Sequence, residues 1–388
     1  MSPDVTPALR VAGRGLLAAG ALAVGAALGA VAERSLLRSS PAPVADVERF
    51  GLIHGIERPV VADDGTVLYV EVDELSADEA AAPDALTVIF AHGYALNLDS
   101  WHYQRQALRG RARLVFYDQR SHGRSQRADF DSHHIDQLGH DLQSVIDTVA
   151  PTGPLLLVGH SMGGMTIMAL ADQRPDLFLE RVYGVALIAT SAGGLSEGLL
   201  GLPPGVGQLF HRLGPPVAAA LARQKELVER TRWGDSDLGL LLTRTYSFGS
   251  TATDAASRFV ASMVSSTPMD VLAEFLPALQ EHDKRDALSV FQNVELLVLV
   301  GATDRLTPRE QSEEIVRRVP GAEFVVVPDA GHMLTLEKHE VVDALRALRP
   351  DVDTPDGWEA EPRARLLTFI ETGVIREAQA VSAPGEPP

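Results

Sequence analysis

Short apolar runs alternate with amphipathic stretches along most of the chain. The clearest amphipathic stretch covers residues 135–149, where apolar side chains recur at the spacing of one helix face. The apolar runs have the length and β-branched content of buried strands, and they cover residues 86–91, 112–117, 154–158, 182–189, 294–300 and 324–327. Strands that alternate with helices at this interval predict an α/β fold, with a mostly parallel sheet and helices on both of its faces.

Breaks in this alternation predict the domain organisation. Residues 196–287 contain only helical patterns, which indicates a helical cap inserted into the α/β core. The core is then formed by residues 47–195 and 288–350. Residues 1–46 form a hydrophobic segment with a linker, and residues 351–388 form a tail rich in proline and charge.

The N-terminal hydrophobic segment has the character of a membrane anchor. Residues 16–32 are uncharged, rich in Ala, Gly, Leu and Val, and flanked by arginines on both sides. As a helix they would span roughly 25 Å, a little under the hydrocarbon thickness of a bilayer. We predict that they anchor the chain at a membrane. One alternative is a secretory signal peptide cleaved after Ala30-Val31-Ala32, in a secreted protein. The other is a hydrophobic helix that packs on the body or is frayed, in a cytoplasmic protein.

Composition and charge exclude several classes of function. The net charge of −18 argues against a nucleic-acid partner, because binding phosphates requires a basic surface. The chain has no cysteine, which excludes disulfides, thiolate metal sites and cysteine nucleophiles. The histidines show no i, i+4 pairing with an acid between them, so we predict no metal, and we expect no cofactor.

The sequence Gly-His-Ser-Met-Gly-Gly at residues 159–164 joins a predicted strand to a predicted helix. Strand, Gly-x-Ser-x-Gly and helix in this order predict a nucleophile elbow. The turn is so tight that Gly159 and Gly163 cannot be replaced by residues with a β-carbon. It would lift the Ser161 hydroxyl above the end of the sheet, in front of a helix N-terminus that favours negative charge.

A serine nucleophile needs a base, and the base needs an anchored third group. Asp304 and His332 each follow a later predicted strand, so all three side chains would project from the carboxyl edge of the sheet. We therefore predict Ser161, Asp304 and His332 as catalytic residues. Asp304 taken alone could instead cap the helix that starts near Pro308, and Asp329 is the alternative acid for orienting the imidazole.

Acyl transfer also needs donors for the oxyanion that develops on the substrate. The main-chain N–H of Met162, directly after the serine, is one predicted donor. The other is the N–H of Tyr94, in the loop after residues 86–91, where the sequence His92-Gly93 permits a close approach.

Together these motifs resemble the α/β-hydrolase fold superfamily over roughly residues 47–348. The residues that carry the resemblance are His92-Gly93, Asp118-x-Arg120-x-His122-Gly123-x-Ser125, Gly159-His160-Ser161-Met162-Gly163-Gly164, Gly301-x-x-Asp304 and Gly331-His332. The sequence is similar to the esterase, monoacylglycerol-lipase-like and cofactor-free haloperoxidase branches. Epoxide hydrolases and haloalkane dehalogenases have an aspartate in place of Ser161, which argues against those activities. The chain departs from the family at residues 120–123, where Arg-Ser-His-Gly replaces the usual Arg-Gly-x-Gly.

By the same resemblance, the helical residues 196–287 correspond to the family's cap over the active site. Apolar and aromatic cap residues could line an acyl pocket: Phe210, Trp233, Tyr246, Phe248, Phe259, Met263 and Phe275.

We predict a serine hydrolase that cleaves a small-molecule carboxylic ester through an acyl-enzyme on Ser161. Two alternatives stay open. The same triad could carry out perhydrolysis, amide or C–C hydrolysis or acyl transfer, or the chain could be a non-catalytic binding protein on this fold.

Overall fold

Ten strands and ten α-helices are present in residues 50–75, 86–195 and 237–342, the parts of the chain that the computed structural model describes. The strands are β1 (Ile56–Glu57), β2 (Val60–Val61), β3 (Val67–Leu68), β4 (Val70–Asp73), β5 (Thr87–Ala91), β6 (Arg113–Tyr117), β7 (Leu155–His160), β8 (Val182–Ile188), β9 (Glu295–Gly301) and β10 (Glu323–Val327). The helices are α1 (His102–Leu108), α2 (Ile135–Val149), α3 (Met162–Gln173), α4 (Pro175–Glu180), α5 (Asp237–Ser247), α6 (Asp254–Ser266), α7 (Met269–Glu281), α8 (Arg309–Arg318), α9 (Leu334–Glu337) and α10 (His339–Val342).

Eight of these strands form one sheet in the order β1-β4-β6-β5-β7-β8-β9-β10. The pairs from β6 to β10 are parallel, and β1 and β4 add an antiparallel edge. Strands β2 and β3 form a separate hairpin, with Gly65 at φ +88° in its turn. The prediction of a mostly parallel sheet with helices is confirmed.

The two faces of the sheet are covered by different helices. In β5, Ile89 belongs to the core shared with α2, α3, α4 and α8, whereas Phe90 belongs to the core shared with α1, α9 and α10. Successive side chains of a strand point to opposite faces, so a strand covered on both sides is apolar throughout. This is why the central strands read as unbroken apolar runs rather than as alternating patterns.

Helices α5, α6 and α7 lie between β8 and β9 in the chain, where the sequence predicts the cap. Helix α7 packs Val271 and Phe275 against the first turns of α2 and α3. Helix α6 packs Val260 into a cluster with Met333, next to the predicted base. The division into core and cap remains a prediction, and Phe210 and Trp233 lie outside the described residues.

The predicted anchor over residues 16–32 and the tail over residues 351–388 also lie outside the described residues. Within the ranges that are described, no helix is both long enough and apolar enough to cross a bilayer. The membrane anchor remains a prediction.

A buried cation connects the loop after β6 to two other elements. Arg120 has no exposed surface, and its guanidinium donates two hydrogen bonds to Asp141 of α2, at 2.6 and 2.7 Å. A third hydrogen bond, of 2.7 Å, reaches Asp64 in the β2–β3 turn. Removing one partner of a buried ion pair leaves a charge without compensation, and this costs more than the pair itself contributes.

We therefore expect Asp141→Ala to lower the free energy of unfolding by about 3–5 kcal/mol, measured by urea denaturation. Glu313→Ala is the matched control, because it breaks the more exposed pair of Arg309 and Glu313 on α8. That change should cost less than about 1 kcal/mol. Equal effects of the two variants would contradict the structural role of the Arg120 bridge.

Candidate active site

The tight turn around Ser161 is enforced by contacts of the main chain. Ser161 lies between β7 and α3 with φ 53° and ψ −118°. A Cβ on Gly163 would lie 1.9 Å from the carbonyl oxygen of Ala91, and a Cβ on Gly159 would lie 2.6 Å from the main chain of Gly163. The φ and ψ angles of Ser161 cost on the order of 1–3 kcal/mol in a residue other than glycine, so this conformation persists only where its surroundings impose it.

Asp304 and His332 lie side by side beyond the ends of β9 and β10. The Nδ1–H of His332 donates to Oδ2 of Asp304 at 2.9 Å, and both residues are buried. Oδ1 of Asp304 accepts the N–H groups of Leu306 and Thr307, and the Thr307 hydroxyl donates to Oδ2. Burial opposes ionisation of Asp304, but His332 and the Thr307 donors outweigh it and lower the pKa of this carboxyl. Asp304 is therefore held as an oriented carboxylate.

The loop that carries His332 is attached to the elbow. The Nε2–H of His160 donates to the main-chain carbonyl of His332 at 3.0 Å, and the centroids of the two rings are 4.9 Å apart. His160 directly precedes Ser161. On the other side of the loop, the N–H of Gly331 donates to Oε2 of Glu337 at 2.8 Å. Asp304 and His332 are thus in contact at the carboxyl edge of the sheet, and His332 contacts the residue that directly precedes Ser161.

This geometry favours neither Asp329 as the acid nor a helix-capping role for Asp304. Asp329 has φ 55°, and its carbonyl accepts the N–H of Ser250, while Nδ1 of His332 faces Asp304. The N-cap of α8 is Pro308, so Asp304 does not occupy the capping position of that helix.

Three other histidines near the elbow are poor candidates for a base. Burial lowers the pKa of His92 and of His160 to about 3, and the pKa of His122 to about 4. A general base works best with a pKa near the operating pH, so these groups are too weak. Each of the three rings also has a nitrogen in contact with a main-chain carbonyl.

The residues that carry the predicted oxyanion donors lie near Ser161 in the fold. Met162 is the first residue of α3, and the first N–H groups of a helix have no acceptor within it. A Cβ on Gly93 would lie 3.1 Å from Cβ of Ser161 and 2.9 Å from Nδ1 of His160. The missing side chain at Gly93 thus lets the loop after β5 reach the elbow and places Tyr94 beside it.

Several supporting residues were not identified from the sequence. They are His160, Thr307 and Glu337, and the carboxylate of Glu337 also accepts the N–H of Gly249 in the α5–α6 loop at 2.9 Å. Only the contact of Asp304 with residue 307 has a local signal, because an aspartate side chain often accepts hydrogen bonds from main-chain N–H groups that follow it closely in the chain. The other contacts join residues far apart in the chain.

In the parts of the chain that the structure covers, no group of three or more His, Asp or Glu side chains could hold a metal ion. The expectation that the protein works without a metal or cofactor remains a prediction.

Comparison with known proteins gives the family. Residues 88–345 match the alpha/beta hydrolase family, and the chain belongs to this family. A dihydrolipoyllysine-residue acetyltransferase component of an acetoin cleaving system from Pseudomonas putida is 28% identical over 258 residues, which cover 66% of this chain and 61% of that protein. The pimeloyl-(acyl-carrier protein) methyl ester esterase of Pectobacterium atrosepticum is 28% identical over 251 residues, which cover 63% of this chain and 86% of that protein.

A solved structure shares the fold. The thermophilic esterase from Thermogutta terrifontis superposes with a TM-score of 0.55 at 23% identity, covering 75% of this chain and 96% of that one. This likeness bears on the fold alone. The predicted superfamily and the predicted class of enzyme, an α/β-hydrolase, are confirmed.

The contact between Gly163 and Ala91 predicts the effect of a single methyl group. We expect Gly163→Ala to lower the free energy of unfolding by about 3 kcal/mol or more, because a main-chain carbonyl cannot move aside as a flexible side chain can. Thermal and urea denaturation would measure this. Gly65→Ala is the control, since its Cβ meets open space and only its positive φ opposes the change, at about 1–2 kcal/mol. A Gly163→Ala variant less perturbed than the control would contradict the steric account.

Proposed function

We propose that this chain is a serine hydrolase that cleaves a carboxylic ester through an acyl-enzyme on Ser161. The observation that carries the proposal is the 2.9 Å hydrogen bond from His332 to the buried Asp304, beside a serine held in an elbow conformation. A serine, a histidine and an acid in this arrangement are the parts that activate a hydroxyl as a nucleophile.

In the first half of the reaction, Oγ of Ser161 attacks the carbonyl carbon of the ester. Its proton passes to Nε2 of His332, whose Nδ1–H is already committed to Asp304. The bond between the acyl carbon and the alkoxy oxygen then breaks, and the same proton leaves with the alcohol. The Asp304 carboxylate keeps the imidazole in the required tautomer and stabilises its charged form.

In the second half, water takes the place of the alcohol. His332 accepts a proton from the water, the hydroxide attacks the acyl carbon, and the proton returns to Oγ of Ser161 as the acid is released. In both halves the negative oxygen is bound by the N–H groups of Met162 and Tyr94. The N-terminus of α3 adds a favourable field at the same place.

Two observations support an ester of a small, apolar acid or alcohol. The residues of α7 that pack on the elbow helix are apolar, since Val271 and Phe275 share a buried cluster with Met162. In addition, one relative that is 28% identical is named as a methyl ester esterase. We propose that the helices between β8 and β9 form the cap that selects the substrate.

We expect Ser161→Ala and His332→Ala each to lower kcat/KM for p-nitrophenyl butyrate by about 10⁴-fold or more. Asp304→Asn should cause a loss of similar order, because the imidazole then loses its anchored orientation. The double variant Ser161→Ala with Asp304→Asn should be no worse than Ser161→Ala alone, since the three groups act as one unit.

A fluorophosphonate probe gives a second measurement that does not depend on the choice of ester. The wild-type chain and the control Ser262→Ala, at an exposed position on α6, should be labelled, and Ser161→Ala should not. A folded wild-type protein that resists the probe would falsify the proposed nucleophile. If Asp304→Asn kept the wild-type rate of turnover, another residue would have to be the acid that orients His332.

A further inference from the structure

The side chain of Tyr94 extends from the loop after β5 and forms a hydrogen bond with helix α7. Its phenol O–H donates to the main-chain carbonyl of Leu272, on α7, at 2.5 Å. The main-chain N–H of the same residue is a proposed oxyanion donor. Tyr94 therefore connects α7 to the place where the substrate oxygen would become negative.

Helix α7 is packed tightly against the elbow helix, so it can fix the position of the Tyr94 phenol. Val271 and Phe275 are fully buried, and they share a cluster with Met162 and Met165 of the elbow helix α3. The ring of Tyr94 packs against the same cluster.

A polar tether holds the same helix at Glu274. The carboxylate of Glu274 accepts from Arg127 and lies 3.0 Å from Nδ1 of His133. Nε2 of His133 lies 2.8 Å from the hydroxyl of Ser121, the residue that replaces the family's glycine and that has φ 64°. The strained backbone at Ser121 is thus accompanied by a row of serine, histidine and acid that ends on α7, in which Ser121 and His133 share a hydrogen bond and the imidazole lies close to the Glu274 carboxylate.

This row is unsuited to catalysis. The N–H of Ala128 donates to Oγ of Ser121 at 2.9 Å, so the oxygen is already engaged. Burial, followed by the charge of Arg127, lowers the pKa of His133 to about 4, which makes it too weak a base. Its effect is to fasten α7 to the core.

The loop that contains Tyr94 needs contacts with a neighbouring element to hold one conformation. Ala95 has φ 60°, a left-handed conformation that residues with a β-carbon rarely adopt. A strained loop holds one conformation only where its neighbours impose it. Oxyanion donors, in turn, are effective only when they are oriented before the charge develops.

We propose that the Tyr94 phenol is a positioning group through which helix α7 sets the orientation of the oxyanion hole. The proposal rests on the proposed serine hydrolase function. Tyr94 touches the reacting oxygen only through its main chain, and the phenol acts on it from a distance through the loop.

The test is Tyr94→Phe, which keeps the ring and removes only the hydroxyl. We expect kcat for p-nitrophenyl butyrate, per site titrated with fluorophosphonate, to fall about 10-fold while KM changes less than about 3-fold. Complete removal of one oxyanion donor costs about 10²–10³-fold, and a misaligned donor should cost part of that. The affinity for a short alkyl trifluoromethyl ketone, which forms an oxyanion on the serine, should fall by the same factor as kcat.

Tyr69→Phe is the matched control. It also removes a phenol donor, from carboxylates of Glu57 and Glu71 at the antiparallel edge of the sheet. It should leave both kcat and ketone affinity unchanged. A purely structural role of Tyr94 would lower the fraction of titratable sites or the melting temperature, without lowering kcat per site.

Glu274→Gln tests the role of α7 by a second change, and this test remains possible if Tyr94→Phe does not fold. It weakens the tether of α7 and leaves Tyr94 intact, so it too should lower kcat and ketone affinity together. Because both changes act through α7, the double variant should lose less than the product of the two single losses.

Wild-type kcat and ketone affinity in a folded Tyr94→Phe protein would overturn the inference. Losses that multiply in the double variant would also overturn it, since the two side chains would then act independently. These outcomes differ from failure of the proposed function, in which the wild-type chain itself reacts with neither the probe nor the ketone.

Discussion

The close contact between the end of β5 and the start of α3 is the constraint on which the site depends. In the parallel register of the sheet, Ala91 lies opposite Gly159, and the carbonyl of Ala91 lies where a side chain of Gly163 would be. Only glycine allows the helix to start this close to the strand. The contact places Ser161 directly beside the loop after β5, so the nucleophile and both proposed oxyanion donors are positioned by one steric fit.

Asp304 and His332 reach the site because they follow the parallel strands β9 and β10. Because β9 and β10 run parallel to β7, the residues after them reach the same edge of the sheet. Position at an edge does not orient a side chain, however. The orientation of Asp304 comes from three donors, and that of the His332 loop comes from His160 and Glu337.

Buried polar groups fasten the loops, while apolar packing holds the sheet and its helices. Arg120 joins the loop after β6 to α2, and Glu337 joins the histidine loop to the α5–α6 loop. Asp118 accepts the N–H groups of Leu98 and Arg124, each at 2.7 Å, and burial raises its pKa to about 7. Loops lack the repeating hydrogen bonds of helices and sheets, so buried side chains have to satisfy their main-chain groups. The candidate site is built from such loops.

The sequence alone predicted strands β5–β10, the elbow and the three candidate side chains, because each has a local physical cause. A strand buried on both faces must be apolar throughout, and a tight turn beneath a neighbouring carbonyl must use glycine. The serine, the acid and the histidine are predicted to meet because the parallel strands before them all end at one edge. Only the tertiary structure places Asp304, and not Asp329, against Nδ1 of His332, and only it shows the contacts of His160, Glu337 and the Tyr94 phenol. Tyr94 and Leu272 are 178 residues apart, and no local pattern encodes a hydrogen bond to the main-chain carbonyl of a residue so distant in the chain. Such a carbonyl is present in every residue, so the fold alone determines which one a side chain meets.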